Sequence, residues 1–600
     1  MKKITYLDAT RWYRALIAGI RSVISHQDLL NNINVYPVPD RDTGTNMALT
    51  LNSVIESTYA APKNNIHALF VVVADSALTG ARGNSGAILA QFFQGMSEAM
   101  KNIGTKMEIK HFVHAVENGV KFSYAALAQP KEGTILTVIK DFANKLKEVL
   151  NKNNVDFVSL LHEGLEMAKK SLQNTTQQLK ELKKAQVVDA GAQGFVDFLQ
   201  GIYDFIHHGS LKDLENEFTP FNIKQITEEI GLVVDERHRY CTECLIHGEK
   251  IDQRFLREKL ADFGDCIVVA GSAIKTKIHI HANDPKQVFE LCSTQGVISG
   301  EKADDMIQQQ RAINHVRDEI AILTDSGADL PEEVIAKLNI HVVPLQLHFG
   351  TQNYIDKVTI NPQEFYQLLR TNPNHPKTSQ PSFGDFYRQY QYLSSHYQGV
   401  VAIHISSHIS GTINASETAA QKIDFKNISI LDSRFTSVGQ GLIVQTAAEA
   451  AKKGLSLEAV NQCVLDAMNK TQFYAALPDL TYVTKGGRMS AKKRKFLDFF
   501  NLTPILKFDR EGKITLATCF FGKSKVAKKL AKFISNKINS KKAYRILVSH
   551  SDCEAQAQTL HNQLKRLIPK IESIYIVRTG STLGAHTGPQ SFAIAIQEMA

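Results

Sequence analysis

From Tyr6 to about His208 the apolar positions recur at helical spacing, with Leu16, Ile17, Ile20, Val23 and Ile24 early and Leu160, Leu161, Leu165 and Met167 late. The pattern predicts an all-helical first third. Four loops rich in small and polar residues interrupt it, at residues 34–47, 80–87, 130–137 and 188–195. Such loops between successive helices predict one shared site at one end of a bundle. After Gly209 the pattern shortens to strand-like runs at 231–234, 266–270 and 277–281, which predicts an α+β segment to about residue 312. From Ile320 onward, buried runs at 341–345, 400–405, 428–431, 545–548 and 574–577 alternate with helical patterns. That alternation predicts an α/β unit with parallel sheet.

Composition adds limits. Forty-three per cent hydrophobic and 22% charged residues over a 600-residue chain are ordinary for several globular domains. The formal charge of +9 is small for this length and suits a phosphate-bearing ligand, an acidic partner or a membrane surface, without implying nucleic acid. No nucleic-acid partner is expected. Seven scattered cysteines make no secreted disulfide framework, so a cytoplasmic location is expected. The Met-Lys-Lys opening is followed by Thr5, Asp8, Arg11 and Arg14, which interrupt any apolar signal core. No apolar run reaches about 18 residues, and no membrane span is expected. The lysines of 485–495 and 523–542 suit an anionic membrane surface or solvated helix faces.

The loop at 34–47 carries the densest chemistry. Pro37 and Pro39 stiffen the chain ahead of Asp40 and Asp42, which offer hard oxygen ligands at a two-residue spacing, as magnesium shared with substrate phosphates requires. Gly44 permits close approach, and Thr43, Thr45 and Asn46 offer donors to phosphate oxygens. A plain acidic turn has the same composition. In the second loop three glycines surround Asn84 and Ser85 just before a helix, which suits an anion site or a tight helix corner. No Gly-x-x-x-x-Gly-Lys-Ser/Thr occurs, which excludes a P-loop. In the middle segment His279 and His281, two apart on a strand, share a face and can reach one metal with Cys241, while Cys244 points away. Glu243 lies on the face of Cys241 and is a further possible ligand; two buried thiols and a histidine pair without metal are the alternative.

Taken together, residues 34–47, Gly80-Ala-Arg-Gly-Asn-Ser-Gly86, Glu132-Gly-Thr-Ile-Leu-Thr137 and Val188-Asp-Ala-Gly191 resemble, in order and spacing, the DhaL-type nucleotide-binding domain of dihydroxyacetone kinases, in particular that of the fatty acid kinase FakA. The resemblance covers residues 1–210 and implies an eight-helix barrel holding ATP and two Mg²⁺. It assigns Asn34, Asp40 and Asp42 to metal; Thr43, Gly44, Thr45, Asn46, Asn84, Ser85 and Gly86 to phosphate; and Gly133, Thr134, Asp189 and Gly191 to the nucleoside side. Arg41 departs from the usual glycine: it is strained if the position needs positive φ, or otherwise reaches phosphate. Residues 211–315 are similar to the FakA middle domain, which implies a structural Zn²⁺ at Cys241, His279 and His281, although Cys244 departs from the usual apolar residue.

Residues 319–600 resemble DegV proteins, the fatty-acid-binding FakB family, through Thr324-Asp-Ser-Gly-Ala-Asp-Leu-Pro331, Thr378-Ser-Gln-Pro-Ser382, Ser406-Ser-His-Ile-Ser-Gly-Thr412, Lys485-Gly-Gly-Arg488 and His586-Thr-Gly-Pro589. Hydroxyls and backbone donors at Thr378, Ser379, Ser410, Gly411 and Thr412 suit an acyl carboxylate. The resemblance implies a two-lobed α/β fold with an apolar cleft for a long-chain fatty acid, and gives Arg488 and His586 to phosphoryl transfer. The expectation is therefore a three-part chain that phosphorylates a bound fatty acid to an acyl phosphate for phospholipid synthesis, within one chain or across a homodimer, with an acyltransferase acceptor and a transient membrane surface as partners. A dihydroxyacetone-type small-molecule kinase and a lipid-binding regulator with a non-catalytic nucleotide domain are the rival readings.

Overall fold

A computed structural model describes residues 3–37, 39, 41–59, 64–152, 154–208, 238–307, 320–423, 425–486 and 490–599. The chain forms two compact units, residues 1–310 and 311–600.

The first unit opens with a correction to the helical expectation. Strand β1 (Tyr6–Asp8) pairs antiparallel with β2 (Lys106–Glu108), and helix begins only at Ala9, because Asp8 turns its carboxylate onto the Arg11 N–H at 2.7 Å and caps the first helix. Beyond it run α1 (Ala9–Ser25), α2 (Gln27–Asn32), α3 (Thr43–Tyr59), α4 (Ile66–Gly80), α5 (Gly83–Ala99), α6 (Ile109–Ala125), α7 (Ile135–Leu150), α8 (Phe157–Gln178), α9 (Lys180–Ala185) and α10 (Ala190–His208). Leaving out the six-residue α2 and α9, eight long helices remain. They enclose an aromatic core in which Phe195 meets Phe92, Phe142 and Phe198 at centroid separations of 5.6–6.5 Å. At the centre α1 and α10 cross in close contact, since a Cβ on Gly201 would lie 2.5 Å from the Ala18 carbonyl.

Packed on this bundle is a four-stranded antiparallel sheet of order β4-β5-β3-β6, built from β3 (Tyr240–His247), β4 (Gly264–Gly271), β5 (Lys275–Ala282) and β6 (Val297–Asp305), with helices Gln253–Leu260 and Pro285–Ser293. Val268 and Ala270 of β4 join the helical core, and the Val269 N–H donates to the Ala126 carbonyl at 2.9 Å. The strand run at 231–234 lies outside the described residues.

The second unit has three sheets. Strands β7 (Ile320–Asp325), β8 (His341–Val343), β12 (Gly399–His404) and β13 (Ile428–Asp432) form a parallel sheet of order β13-β12-β7-β8, as the sequence predicts. A small antiparallel sheet joins β9 (Gln346–Phe349), β10 (Gln352–Ile355) and β11 (Lys377–Ser379). The third sheet differs from expectation. Its order is β16-β15-β14-β19-β17-β18, from β14 (Thr471–Ala476), β15 (Leu502–Phe508), β16 (Ile514–Phe521), β17 (Tyr544–His550), β18 (Ile571–Arg578) and β19 (Phe592–Glu598), and only β17 and β18 are parallel. The cause is that the last strand returns antiparallel between β14 and β17, a placement no local pattern encodes. Helix Ser437–Lys452 is small and apolar almost all round because it packs against β7 of one sheet and β17 and β19 of another.

Candidate functional site

At one end of the helical bundle the amino-termini of α3, α5, α7 and α10 converge. A Cβ on Gly83 would lie 2.6 Å from Asn46 Nδ2, and one on Gly191 2.5 Å from Ser85 Oγ, so α3, α5 and α10 meet with no room between them for side chains. Thr134 caps α7, and the Asp189 carboxylate accepts from the N–H groups of Ala192, at 2.8 Å, and of Ile135, so one side chain ties α7 to α10. Thr45 is held from below, its N–H donating to Asn31 Oδ1 at 3.0 Å. Four converging helix starts concentrate N–H donors and positive dipole ends, which favours an anion there. The first-turn N–H groups of Asn84 and Ser85 have no carbonyl within α5 to bond.

Thr43, Gly44, Thr45, Asn46, Asn84, Ser85, Gly86, Thr134, Asp189 and Gly191 are thus brought to one end of the bundle, and Gly133, at φ +87°, precedes the Thr134 cap. Asn34 is buried at the start of the loop, and burial raises the Cys241 thiol, with Asp42 among the nearby carboxylates that add to it. Asp40 lies outside the described residues. Asn84 Oδ1 is a buried oxygen with no hydrogen-bond partner among the described residues, which fits a site completed by a bound polar group. Arg41 answers the question its sequence raised: φ is +55°, so the position does demand the left-handed conformation and arginine there carries strain of about 1 kcal/mol.

The middle sheet faces this same end. Cys241, His279 and His281 bring a thiol and two ring nitrogens within 4.8 Å of one another, and Asp265, Cys266 and His281 form a second such set. His279 Nε2 is buried without a hydrogen-bond partner among the described residues, as suits a ring that ligates a metal. Cys244 turns to the opposite face and is buried beside Cys292. Glu243 is not a member of either set. Its Oε1 accepts from the Gly83 N–H at 3.0 Å and sits 3.1 Å from His279 Nδ1, while Oε2 lies 3.2 Å from Lys277 Nζ.

The second unit contains a cavity of about 490 Å³, within the range that buries a small organic ligand. Phe473, Phe508, Leu506, Ile405, Ile409 and Val483 make most of its wall apolar, and Thr378, Ser379, Ser410, Gly411 and His586 stand together at it. Thr378 Oγ1 is 2.9 Å from His586 Nε2, and Ser379 Oγ is 3.1 Å from His348 Nε2. Thr412 does not line the cavity; fully buried at the start of helix Thr412–Ala420, it supports Ser410 through a 2.8 Å hydroxyl contact. Arg488 lies outside the described residues, but its loop begins beside His586, since a Cβ on Gly486 would sit 2.6 Å from the His586 Nδ1. Sequence reasoning gave no role to Gln380 and Thr587, although both lie inside quoted motifs, and missed Thr436 and Thr582, polar residues of the same wall that lie outside those motifs.

One further cluster has the look of chemistry. Asp325 Oδ2 is 3.2 Å from His404 Nδ1, and His404 Nε2 is 2.7 Å from Ser416 Oγ, the order of a hydrolytic triad. All three are fully buried and Ser416 is also bonded to Tyr390, so no substrate reaches it; Asp325 instead pins the turn after β7 to the Ile405 N–H beneath the cavity.

Three family models match the chain in order. Residues 37–204 match the DAK2 domain, 237–313 the FakA-like middle domain of fatty acid kinases, and 319–599 the DegV family. The class is therefore a multidomain chain of helical DAK2 type joined to a DegV α/β unit. More particularly, the three matches in this order fit a FakA-type fusion, a DAK2 domain and a FakA-like middle domain followed by a DegV domain, as the sequence motifs indicate. An uncharacterised protein of Staphylococcus saprophyticus is 32% identical over 327 residues, covering 52% of this chain and 57% of the relative. One of Staphylococcus aureus is 34% identical over 316 residues, covering 50% and 55%. The chain spans just over half the length of these curated relatives. Similar solved structures include a DegV family protein of Thermus thermophilus described by its fatty acid binding (28% identity, 47% of this chain and 100% of that one, TM-score 0.44) and DegV of Bacillus subtilis, described as a fatty acid binding protein (27%, 47% and 99%, TM-score 0.43).

Asp189 gives the site a pH signature. Burial pushes its carboxyl up to about 6 against the pull of the Ala192 and Ile135 N–H groups. A carboxyl raised on folding costs nothing below its unfolded pKa of about 4; it destabilises increasingly as pH rises toward 6, and the cost persists above. Thermal melts of Asp189→Asn against the natural chain are expected to move in the variant's favour between pH 4 and pH 7, and a gap that stays constant contradicts the assignment.

Proposed function

We propose that the chain is a fatty acid kinase that carries its own lipid-binding unit, transferring the γ-phosphoryl group of ATP to the carboxylate of a bound long-chain fatty acid. The observation that carries the reading is the pairing, in one chain, of a polyanion site made of four helix starts with a second unit whose apolar cavity has hydroxyls and a histidine at its wall. A carboxylate is ionised at neutral pH, so it needs no general base. One carboxylate oxygen attacks the γ-phosphorus, the bond to the bridging oxygen breaks, and ADP leaves with the electron pair. Positioning and charge neutralisation then supply the catalysis.

In this reading Asn34, Asp40 and Asp42 would hold Mg²⁺, which supplies charge neutralisation on the phosphates. Thr43, Gly44, Thr45, Asn46, Asn84, Ser85 and Gly86 hold the phosphate chain by hydroxyl, amide and backbone donors, and Gly133, Thr134, Asp189 and Gly191 line the nucleoside side. Thr378, Ser379, Ser410 and Gly411, with Thr412 behind them, orient the carboxylate, while His586 and Arg488 face the transferred group. Cys241, His279 and His281 would hold Zn²⁺ in a structural role, and Asp265 and Cys266, which form a second set around His281, offer further donors. The product would pass to an acyltransferase acceptor, and transfer occurs within a chain or between two chains of a homodimer. The mostly apolar lining of the cavity favours this over a dihydroxyacetone-type kinase, whose small polar substrate offers nothing to such a wall.

A membrane visit fits one face of the second unit. Phe496, Phe499, Phe500 and Phe521 are 59, 83, 48 and 73% exposed, with exposed Lys492, Lys495, Lys523 and Lys525 close in sequence, and Leu506 and Ile514 of the β15–β16 pair line the cavity. Among the described residues no helix is long and apolar enough to cross a membrane.

Incubated with γ-labelled ATP and oleate, the natural chain is expected to form a hydroxylamine-sensitive acyl phosphate and to lose about a hundredfold or more in rate in Asp42→Ala and His586→Ala, in line with the loss of a single transition-state donor. Lipid retained without turnover would support the regulator instead, and labelling of dihydroxyacetone alone would support the small-molecule kinase. Metal analysis of the same preparation should find zinc, lost in Cys241→Ala. Sedimentation with vesicles containing anionic lipid should fall in Phe499→Ser; equal binding to neutral vesicles, or none, speaks against the membrane face.

A further inference from the structure

Helix α5 begins without a side-chain cap of its own, because its N-cap residue, Arg82, offers only donors. The missing acceptor comes from another domain. Glu243, on β3 and 160 positions away, accepts from the Gly83 N–H at 3.0 Å, while Arg82 Nη1 lies 3.8 Å from its second oxygen. That carboxylate is 1% exposed, and its second oxygen lies 3.2 Å from Lys277 Nζ, itself only 4% exposed. A buried carboxylate-ammonium pair gives little net stability compared with apolar residues of the same size, so its place here calls for something that apolar side chains cannot do. Bonding a backbone N–H across a domain boundary is such a task.

What Glu243 holds is the turn that aims the phosphate donors. Gly83 sits at φ +58° against Asn46, and the next two residues, Asn84 and Ser85, carry the free first-turn N–H groups. Rotation of this turn redirects both donors together. Oε1 of Glu243 also meets His279 Nδ1 at 3.1 Å, so the middle sheet and the glycine loop share one oxygen atom.

We infer that Glu243, braced by Lys277, is a positioning residue of the nucleotide site: the middle domain completes the phosphate loop by capping α5 from outside the helical bundle. The inference rests on the reading of that bundle end as a nucleotide site. Its own content is that nucleotide affinity depends on a residue of the middle domain that touches no nucleotide.

The test is calorimetric titration of the full chain with magnesium and a non-hydrolysable ATP analogue. Glu243→Asp keeps the charge beside Lys277 but withdraws it by one methylene from the Gly83 N–H; the dissociation constant is expected to rise about tenfold, consistent with one lost charge-assisted hydrogen bond. Glu243→Gln, which keeps the length and an acceptor oxygen, should lie between Glu243→Asp and the natural chain. Oleate affinity and zinc content should be unchanged in both. Dissociation constants within twofold of the natural chain in both variants overturn the inference, as does a loss of zinc that accounts for the weakening. Should Glu243→Asp not fold, Glu243→Leu with Lys277→Met, which removes the buried pair and the acceptor together, carries the same comparison. A natural chain that binds no analogue overturns the nucleotide reading itself, and the inference with it.

Discussion

Every α-helix leaves its first N–H groups without an internal acceptor, and in this chain four helices bring that unmet demand to one place. Much of the first unit can be read as the way each start is answered. Thr134 caps α7 from its own sequence. Asp189 serves α7 and α10 at once, and tolerates burial because two N–H groups face it. Asn31 reaches the first turn of α3 from α2. At α5 the answer comes from Glu243 of the middle sheet, and the next two N–H groups have no acceptor within the helix. Small residues follow from the same constraint, since a side chain on Gly83, Gly86 or Gly191 would collide with Asn46, Thr50 or Ser85.

The second unit solves a different problem with the same economy. The cavity joins an apolar wall, to which β14, β15 and β16 of one sheet contribute, to a polar side from β11 and the turn before helix Thr412–Ala420. The buried Asp325, His404 and Ser416 chain underneath fixes that side rather than reacting. Arrangement alone therefore misleads about chemistry when exposure is left out.

Much of this was legible in the residues. The helical period predicted the helical first third, its eight long helices were implied by the family resemblance, and the glycine-rich loops pointed to the shared end, because helix starts advertise themselves through small residues and hydroxyls. The assignment of His279 and His281 to one face with Cys241 followed from strand alternation and holds. Three things were not legible. The antiparallel return of β19 depends on partners more than 40 residues away. The role of Glu243 could not be separated from metal ligation, since both use the same strand face and the Gly83 N–H that claims it is 160 positions distant. The strain at Arg41 required a backbone angle; the sequence could only pose the choice.

The central claim is that the converging helix starts bind a magnesium nucleotide. Hydrogen exchange of the backbone amides, followed by mass spectrometry with and without magnesium and a non-hydrolysable ATP analogue, tests it directly. The account predicts added protection in peptides covering residues 41–50, 82–90, 132–140 and 187–195, the four helix starts together. Protection confined to residues 320–599, or none anywhere, would contradict it.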